Sequence, residues 1–252
     1  MDNILLVDIG NTSVKWALKN SDNLLEMLQQ QYPHNASKVF FIDCLANIDK
    51  PDKVIVTCVA STGIWTAFEA SILALWGIKP ERVVAKAKGY GLINGYVKPA
   101  ELGSDRWCVL IGAYHASDSN IIVIDCGSAI TIDIVNRTGK HLGGYIVPGL
   151  RMMKQSLGLH TAQIEVNNQA VAEHSVAPAR TTSGCVDAGV NLAAVSMIEA
   201  IITQQSALSS DLKCFITGGD AGLVAEHLTT ECVNIKNLVI RGLAFIAESD
   251  QA

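Results

Sequence analysis

The sequence is short of charged side chains, of aromatic side chains and of any basic excess. Of its 252 residues, 17% are charged and 6% are aromatic, and the formal net charge is −5. A disordered chain or a coiled coil would carry more charge, and a general nucleic-acid-binding protein would normally be basic. These absences exclude the first two classes and argue against a nucleic-acid partner.

The chain also lacks the signals of export, of membrane insertion and of cysteine-rich sites. No apolar run reaches the ~18 residues that span a bilayer, and Asp2 and Asp8 stand where a signal peptide would carry Lys or Arg. The seven cysteines are odd in number, and none forms a CxxC pair. We therefore expect reduced, mostly buried cysteines in a cytoplasmic protein without a membrane partner.

What the sequence has in excess is hydrophobic residues, at 49% of the chain. This leaves more apolar surface than a monomer of this size easily hides, so the composition predicts a homodimer or larger oligomer. The segments 105–116 and 182–206 are predicted to be helices with few polar residues on any face, and we expect them to form the subunit contact.

An internal repeat is the most informative pattern. Residues 5–18 (LLVDIGNTSVKWAL) and 122–135 (IVIDCGSAITIDIV) each show an apolar strand ending in Asp-x-Gly, a small polar turn and a second strand. Helical patterns alternate with strands elsewhere, which is typical of α/β proteins, and the tight hairpins predict mixed sheets. The sequence therefore predicts two related α/β domains, residues 1–116 and 117–252.

Further elements follow from hydrophobic periodicity. Strands are predicted at 53–59, 82–85 and 213–220. Helices are predicted from Ile64 to Trp76, from an N-cap at Ser104, from Thr182 to about residue 206 and over 237–248.

The repeated turns could bind phosphate. The backbone amides of residues 8–12 could cradle a phosphate, because Gly10 and Asn11 tolerate the positive φ that points successive N–H groups at one anion. Lys15 would neutralise phosphate charge, and Asp8 would hold Mg²⁺ through water. The same residues would also suit an ordinary tight turn, but the second copy, 125–129, favours a phosphate clamp.

A third glycine-rich turn, Thr217-Gly218-Gly219-Asp220, ends a strand late in the chain and would let a flat ligand such as a purine approach the backbone. These three motifs, in this order, resemble those of the actin, sugar-kinase and Hsp70 ATPase superfamily. Gly103-Ser104-Asp105-Arg106 and the block 143–149 (GGYIVPG), followed by Leu157 and Thr161-Ala162, are similar to type III pantothenate kinase. Ser104 and Ser128 replace that family's usual threonine and keep its hydroxyl.

The resemblance implies a duplicated ribonuclease H-like, actin-like fold with a cleft between its domains. It also implies ATP-dependent phosphorylation of pantothenate to 4'-phosphopantothenate, the first step of coenzyme A biosynthesis. Asp105 would be the general base. The implied ATP contacts are Asp8, Gly10, Asn11, Thr12, Lys15, Ser128, Gly218 and Gly219.

The same resemblance implies where pantothenate and the ions bind. Arg106 would bind the pantothenate carboxylate. Tyr96, Gly103, Ser104 and Thr182 would also contact pantothenate, with Thr182 reaching the site of the other subunit of a homodimer. Asp125 would hold K⁺ or NH₄⁺, and Asp8 would hold Mg²⁺.

Three alternatives remain open at this point. The chain could be another small-molecule kinase of the superfamily, although the GSDR block is not a sugar-binding sequence. It could be a non-catalytic regulatory accessory factor, although its acidic and basic motif residues are all retained. It could also be an RNase H-like nuclease using Asp8, Asp125 and Asp133, although no basic groove is evident.

Overall fold

The computed structural model describes residues 3–20, 23–24, 26–33, 35–161 and 175–249. The chain forms two compact units, Met1–Ala116 together with Asn237–Ala252, and Ser117–Lys236. The first division lies where the sequence places it, but the expected second domain, 117–252, is wrong at its end. The helix Leu238–Ser249 belongs to the first unit because it packs against the helix Ser104–Tyr114.

Both units are built from strands and helices. The strands are β1 (Asn3–Ile9), β2 (Ser13–Asn20), β3 (Asn23–Leu24), β4 (Leu28–Gln31), β5 (Lys53–Cys58), β6 (Glu81–Arg82), β7 (Lys88–Gly89), β8 (Leu92–Ile93), β9 (Asn120–Cys126), β10 (Ala129–Val135), β11 (His141–Pro148), β12 (Leu212–Thr217) and β13 (Val233–Asn234). The helices are α1 (Lys38–Leu45), α2 (Thr62–Trp76), α3 (Ser104–Tyr114), α4 (Leu150–His160), α5 (Thr182–Leu208), α6 (Ala221–Ala225) and α7 (Leu238–Ser249), with a 3₁₀ turn at Pro99–Glu101.

The two large sheets repeat one topology. In the first unit the order is β3-β2-β1-β5-β6, with β4 also pairing with β2, and in the second it is β11-β10-β9-β12-β13. In each sheet the strand that ends in Asp-x-Gly pairs antiparallel with the next strand and parallel with a later one. The predicted mixed sheets and internal duplication are confirmed.

The central strands are apolar because both of their faces are covered. In the first unit β1 is buried from Ile4 onward, and its residues share a core with Phe68 and Ile72 of α2. Helix α7 covers α3 at very close range, since a Cβ on Gly242 would lie 2.6 Å from the Cys108 carbonyl carbon. Helix α3 is therefore buried inside its own unit, which removes it as the expected subunit contact.

Two predicted elements differ in extent. The strand expected at 82–85 is reduced to the pair Glu81–Arg82 at the sheet edge, although the Val83 amide still donates to the Val56 carbonyl at 2.8 Å. Ser104 is the first residue of α3, and the N-cap is Gly103, without a side-chain cap. The Ser104 hydroxyl is instead the partner of another side chain, described below.

Helix α5 is the main core helix of the second unit. Its 27 residues have a mean hydropathy that, with its length, would suit a membrane span, and it is the single helix of the described part of the chain that does so. Val190, Ala194, Ile198 and Ile202 are nevertheless buried against β9, β10 and β12. Length and composition alone therefore give weak support to a membrane span, and the burial is that of a core helix.

The expectation that all cysteines are reduced is wrong for one pair. Cys214 and Cys232 form a disulfide with a Cα–Cα distance of 4.7 Å. The parallel register of β12 and β13, which pairs Phe215 with Val233, makes the two cysteines neighbours. Cys58, Cys108 and Cys126 are buried free thiols as expected, while Cys185 is exposed.

Candidate active site

The first Asp-x-Gly turn follows β1. Asp8 is buried, at 7% exposure, and lies opposite Lys15 in the β1–β2 register, on the same face of the sheet. The Gly10 amide donates to the Ser13 carbonyl at 3.0 Å and closes the hairpin. Neither Gly10 nor Asn11 adopts the positive φ that both residue types tolerate. Hydrogen bonds rather than left-handed residues shape this turn.

Tyr32, which belongs to no sequence motif, supplies two of those hydrogen bonds. Its hydroxyl donates to the Gly10 carbonyl, and its amide donates to the Thr12 carbonyl at 3.2 Å. Burial raises the pKa of the Tyr32 hydroxyl to about 12, with smaller contributions from Cys58 and Asp8. The hydroxyl therefore stays protonated, and a donor, at any physiological pH.

The predicted base, Asp105, lies in the first turn of α3, where the helix dipole favours a carboxylate. A Cβ on Gly103 would lie 2.5 Å from the Asp105 Oδ1, so a glycine leaves room for this side chain. The hydroxyl of Thr57, on β5, donates to the Ser104 Oγ at 2.6 Å and ties the start of α3 to the sheet. Thr57 is fully buried and lies next to Asp8 in the β1–β5 register.

The charges of Asp8 and Asp105 both act on one buried thiol. Burial raises the pKa of Cys108 well above its usual range, and the negative charges of Asp8 and Asp105 raise it further, against a hydrogen bond with Thr57. Thr57 also links the two carboxylates directly, since it lies beside Asp8 in the β1–β5 register and donates to Ser104, the residue before Asp105. Asp8 and Asp105, far apart in sequence, are therefore brought together within the first unit.

Arg106 and Tyr96 are also brought together. The Arg106 Nη1 donates to the Tyr96 hydroxyl at 2.6 Å, and the guanidinium lies 5.5 Å from the centre of the tyrosine ring. Asn94 holds the tyrosine backbone, because its Oδ1 accepts from the Tyr96 amide at 3.0 Å. The guanidinium is thus oriented by its neighbours, as recognition of a planar carboxylate requires.

The second Asp-x-Gly turn is built similarly in the second unit. The Gly127 amide donates to the Ala129 carbonyl at 3.0 Å, and the Gly149 amide donates to the Ser128 carbonyl at 3.0 Å. A Cβ on Gly149 would lie 2.6 Å from that same Ser128 oxygen. The last glycine of the 143–149 block therefore supports the turn that carries Ser128.

The third turn contacts the second one. Gly218 has φ +101°, and its Cβ would lie 2.5 Å from the Cys126 carbonyl carbon and 2.6 Å from the Asp125 Oδ1. The Asp220 amide donates to the Cys126 carbonyl at 3.0 Å. Gly219 has nothing within 4 Å of the position of its Cβ. Gly218 is therefore required by the protein itself, and only Gly219 has open space beside it for a ligand.

The family model of type III pantothenate kinase matches residues 4–204 of this chain, which include all the motifs above up to Thr182. The chain belongs to this family. A type III pantothenate kinase from Nitrosococcus oceani is 36% identical over 251 residues, covering 97% of this chain and 94% of the relative.

Solved structures show the fold. A conserved Baf family protein from Campylobacter jejuni superposes with a TM-score of 0.62 at 22% identity, over 98% of this chain and 100% of that one. A ROK family glucokinase from Streptomyces griseus, in complex with glucose and AMPPNP, superposes with a TM-score of 0.55 at 10% identity, over 98% and 99% of the chains. The predicted actin-like fold class is confirmed.

Membership of the type III pantothenate kinase family confirms the predicted enzyme class, with ATP and pantothenate as substrates and a divalent metal ion. The regulatory alternative is not favoured. The nuclease alternative also loses its third carboxylate, because Asp133 is buried and bonded to the buried His141 at 2.9 Å within the β10–β11 pair.

The residues of this kinase fit a divalent ion that arrives with ATP. Among the described residues, no group of three His, Cys, Asp or Glu side chains could hold a metal alone. Asp8 offers a hard oxygen ligand beside the turn that is predicted to bind phosphate, and Mg²⁺ characteristically combines one or two carboxylates with substrate phosphates. Asp8 would thus hold the ion, which neutralises charge on the transferring phosphoryl group when bound.

Two further family positions, Thr161 and Thr182, belong to the second unit. Thr182 is the first residue of α5, exposed, with Thr181 as the N-cap. The Thr161 hydroxyl donates to the Leu157 carbonyl at 2.6 Å, whereas Ala162 lies outside the described residues.

Proposed function

We propose that this pantothenate kinase transfers the γ-phosphoryl group of ATP to the primary hydroxyl of pantothenate with Asp105 as the general base. The observation that carries the proposal is the link through Thr57. This residue lies beside Asp8 in the β1–β5 register, and its hydroxyl donates at 2.6 Å to Ser104, the residue before Asp105. Phosphoryl transfer depends mainly on positioning and charge neutralisation, so a fixed, ionised carboxylate is sufficient as base.

ATP would bind through backbone amides of the first turn, Gly10, Asn11 and Thr12, with Lys15 neutralising phosphate charge. Ser128, Gly218 and Gly219 of the second unit complete the proposed nucleotide contacts. The open space beside Gly219 supports this role for that residue directly. Gly218 contributes by allowing its turn to lie against Cys126.

Pantothenate would bind at the start of α3. Arg106 would hold its carboxylate through paired hydrogen bonds, which a planar guanidinium forms well, and Tyr96 would line the same place. Gly103 and Ser104 would contact the part of the molecule that carries the reacting hydroxyl. Thr182 is proposed to reach this site from the second subunit of a homodimer.

A monovalent cation, K⁺ or NH₄⁺, is proposed to bind at Asp125. Support comes from local charge: burial raises the pKa of the Cys126 thiol, and the negative charges of Asp125 and Asp220 raise it further. Two carboxylates near one buried atom make this end of the sheet attractive to a cation.

Assembly as a cytoplasmic homodimer completes the proposal. Several large hydrophobic side chains of the second unit are exposed on β11, α4 and α5, as interface residues would be in a separated subunit. They are Leu142, Tyr145, Ile146, Met152 and Leu192.

The test is ATP turnover with pantothenate against a panel of sugars, with and without K⁺. We expect phosphorylation of pantothenate alone, with K⁺ present. Turnover of a sugar at comparable kcat/KM would overturn the substrate assignment. Turnover of no substrate, by a folded protein that still binds ATP, would overturn the catalytic proposal.

A further inference from the structure

We propose that Tyr32 is a positioning residue for ATP: its hydroxyl fixes the peptide that presents the Asn11 amide to the phosphates. This inference rests on the proposed function, in which the 10–12 turn binds ATP. Tyr32 lies outside this turn. It would act by orienting the turn's backbone and would not contact the nucleotide itself.

The first support is the pair of hydrogen bonds that Tyr32 makes to the two ends of the turn. Its hydroxyl donates to the Gly10 carbonyl and its amide to the Thr12 carbonyl. Tyr32 follows directly on β4, which pairs with β2 so that Gln31 lies opposite Ser13. The strand pairing therefore brings the tyrosine to the turn, and both hydrogen bonds act on the same three residues.

The second support is the geometry of the peptide bond. In a planar trans peptide the C=O and the following N–H point in opposite directions. Holding the Gly10 carbonyl toward Tyr32 therefore points the Asn11 amide to the opposite side. Asn11 is exposed, and its amide has no acceptor within the part of the chain that the structure describes. An oriented, available donor is what an anion site requires.

The third support is the nature of the residue at which the peptide would rotate. Gly10 has no Cβ, so its backbone has a wide choice of conformations. A rotated Gly10–Asn11 peptide would direct a carbonyl oxygen at the phosphates in place of an N–H. Tyr32 can prevent this because its ring is fixed, with centroids 6.3 Å from Phe40 and 6.1 Å from Phe41, and it is 8% exposed.

The experiment compares KM for each substrate in Tyr32→Phe, which removes the hydroxyl and keeps the ring. We expect KM for ATP to rise by about tenfold, as loss of one well-placed charge-assisted hydrogen bond would produce. KM for pantothenate should change by less than about twofold. The matched control is Tyr114→Phe, which removes a tyrosine hydroxyl from the last residue of α3 in the same unit and should leave both KM values unchanged.

A purely structural role for Tyr32 predicts a different result, a lower melting temperature with both KM values unchanged or raised together. Either outcome would overturn the proposal. If Tyr32→Phe is too unstable for the assay, its Kd for ATP is measured calorimetrically at low temperature, with circular dichroism to show that it is folded. An unchanged Kd there also overturns it.

Lys15→Ala separates this inference from the proposed function. If Lys15→Ala raises KM for ATP and Tyr32→Phe does not, the turn binds ATP and only the role of Tyr32 is wrong. If neither variant changes KM for ATP, the phosphates bind elsewhere, and the proposed function fails at this turn together with the inference.

Discussion

Replacing Gly218 by alanine tests whether this glycine serves the protein or the nucleotide. Its φ of +101° is one that side-chain-bearing residues rarely adopt, and the strain costs about 1–3 kcal/mol. The new Cβ would also lie 2.5 Å from the Cys126 carbonyl carbon and 2.6 Å from the Asp125 Oδ1. The Cys126 carbonyl cannot retreat without weakening its hydrogen bond from the Asp220 amide.

Overpacking of this kind typically costs about 1–3 kcal/mol more. We therefore expect Gly218→Ala to lower the free energy of unfolding by about 3 kcal/mol or more, a large part of the total stability of a typical domain. The measurement is urea unfolding followed by circular dichroism, with the Kd for ATP measured on the fraction that remains folded.

Gly219→Ala is the matched control, one residue away. A Cβ there meets nothing within 4 Å, so stability should change by less than about 1 kcal/mol. If the nucleotide approaches this backbone, the Kd for ATP should nevertheless rise. If Gly218→Ala lowers the free energy of unfolding by less than about 1 kcal/mol, the steric argument is refuted. An unchanged Kd for ATP in Gly219→Ala would show that Gly219 is not part of the nucleotide site.

Four other outcomes are expected. Asp105→Asn should lower kcat by about 10²-fold or more while the protein remains folded, since an amide cannot accept the proton; near-wild-type kcat would show that the base is another group. Activity should require K⁺ and be lost in Na⁺ buffer, and full activity in Na⁺ alone would refute the cation role of Asp125. Thr57→Val should lower kcat, because Ser104 loses the hydrogen bond that fixes the start of α3, and Thr57→Ser should restore it; equal kcat in both variants would contradict this link. Light scattering should give a dimer, and a fully active monomer would refute the contribution of Thr182 from a second subunit.

The sequence predicts what depends on neighbouring residues. The strand–turn–strand patterns predicted both hairpins, and local hydrophobic periodicity predicted α2, α5 and α7. The pairing of Asp8 with Lys15 is also local, because a tight hairpin fixes which residues face each other. Asp105 and Arg106 were identified from the family resemblance, because no local pattern distinguishes them from residues of a surface ion pair.

What the sequence could not provide depends on contacts between distant segments. Tyr32 and Thr57 carry no motif, and their only signals are a single aromatic after the polar run QQQ and a single hydroxyl within the apolar strand KVIVTC. The Cys214–Cys232 bond depends on the pairing of β12 with a two-residue strand that no periodicity reveals. Placement of α7 in the first unit likewise depends on its close packing with α3.

The internal repeat extends further in the structure than in the sequence, and one chemical difference between the two copies bears on the ions. Each aspartate has a buried threonine beside it on the parallel strand, Thr57 for Asp8 and Thr217 for Asp125. Across the antiparallel hairpin the two copies differ, because Asp8 faces a lysine whereas Asp125 faces Thr131. The first turn thus combines a carboxylate with a fixed cation, as binding of both metal and phosphate requires. The second turn lacks that cross-strand lysine, and the same duplicated geometry there favours recruitment of a cation from solution, which is the role proposed for Asp125.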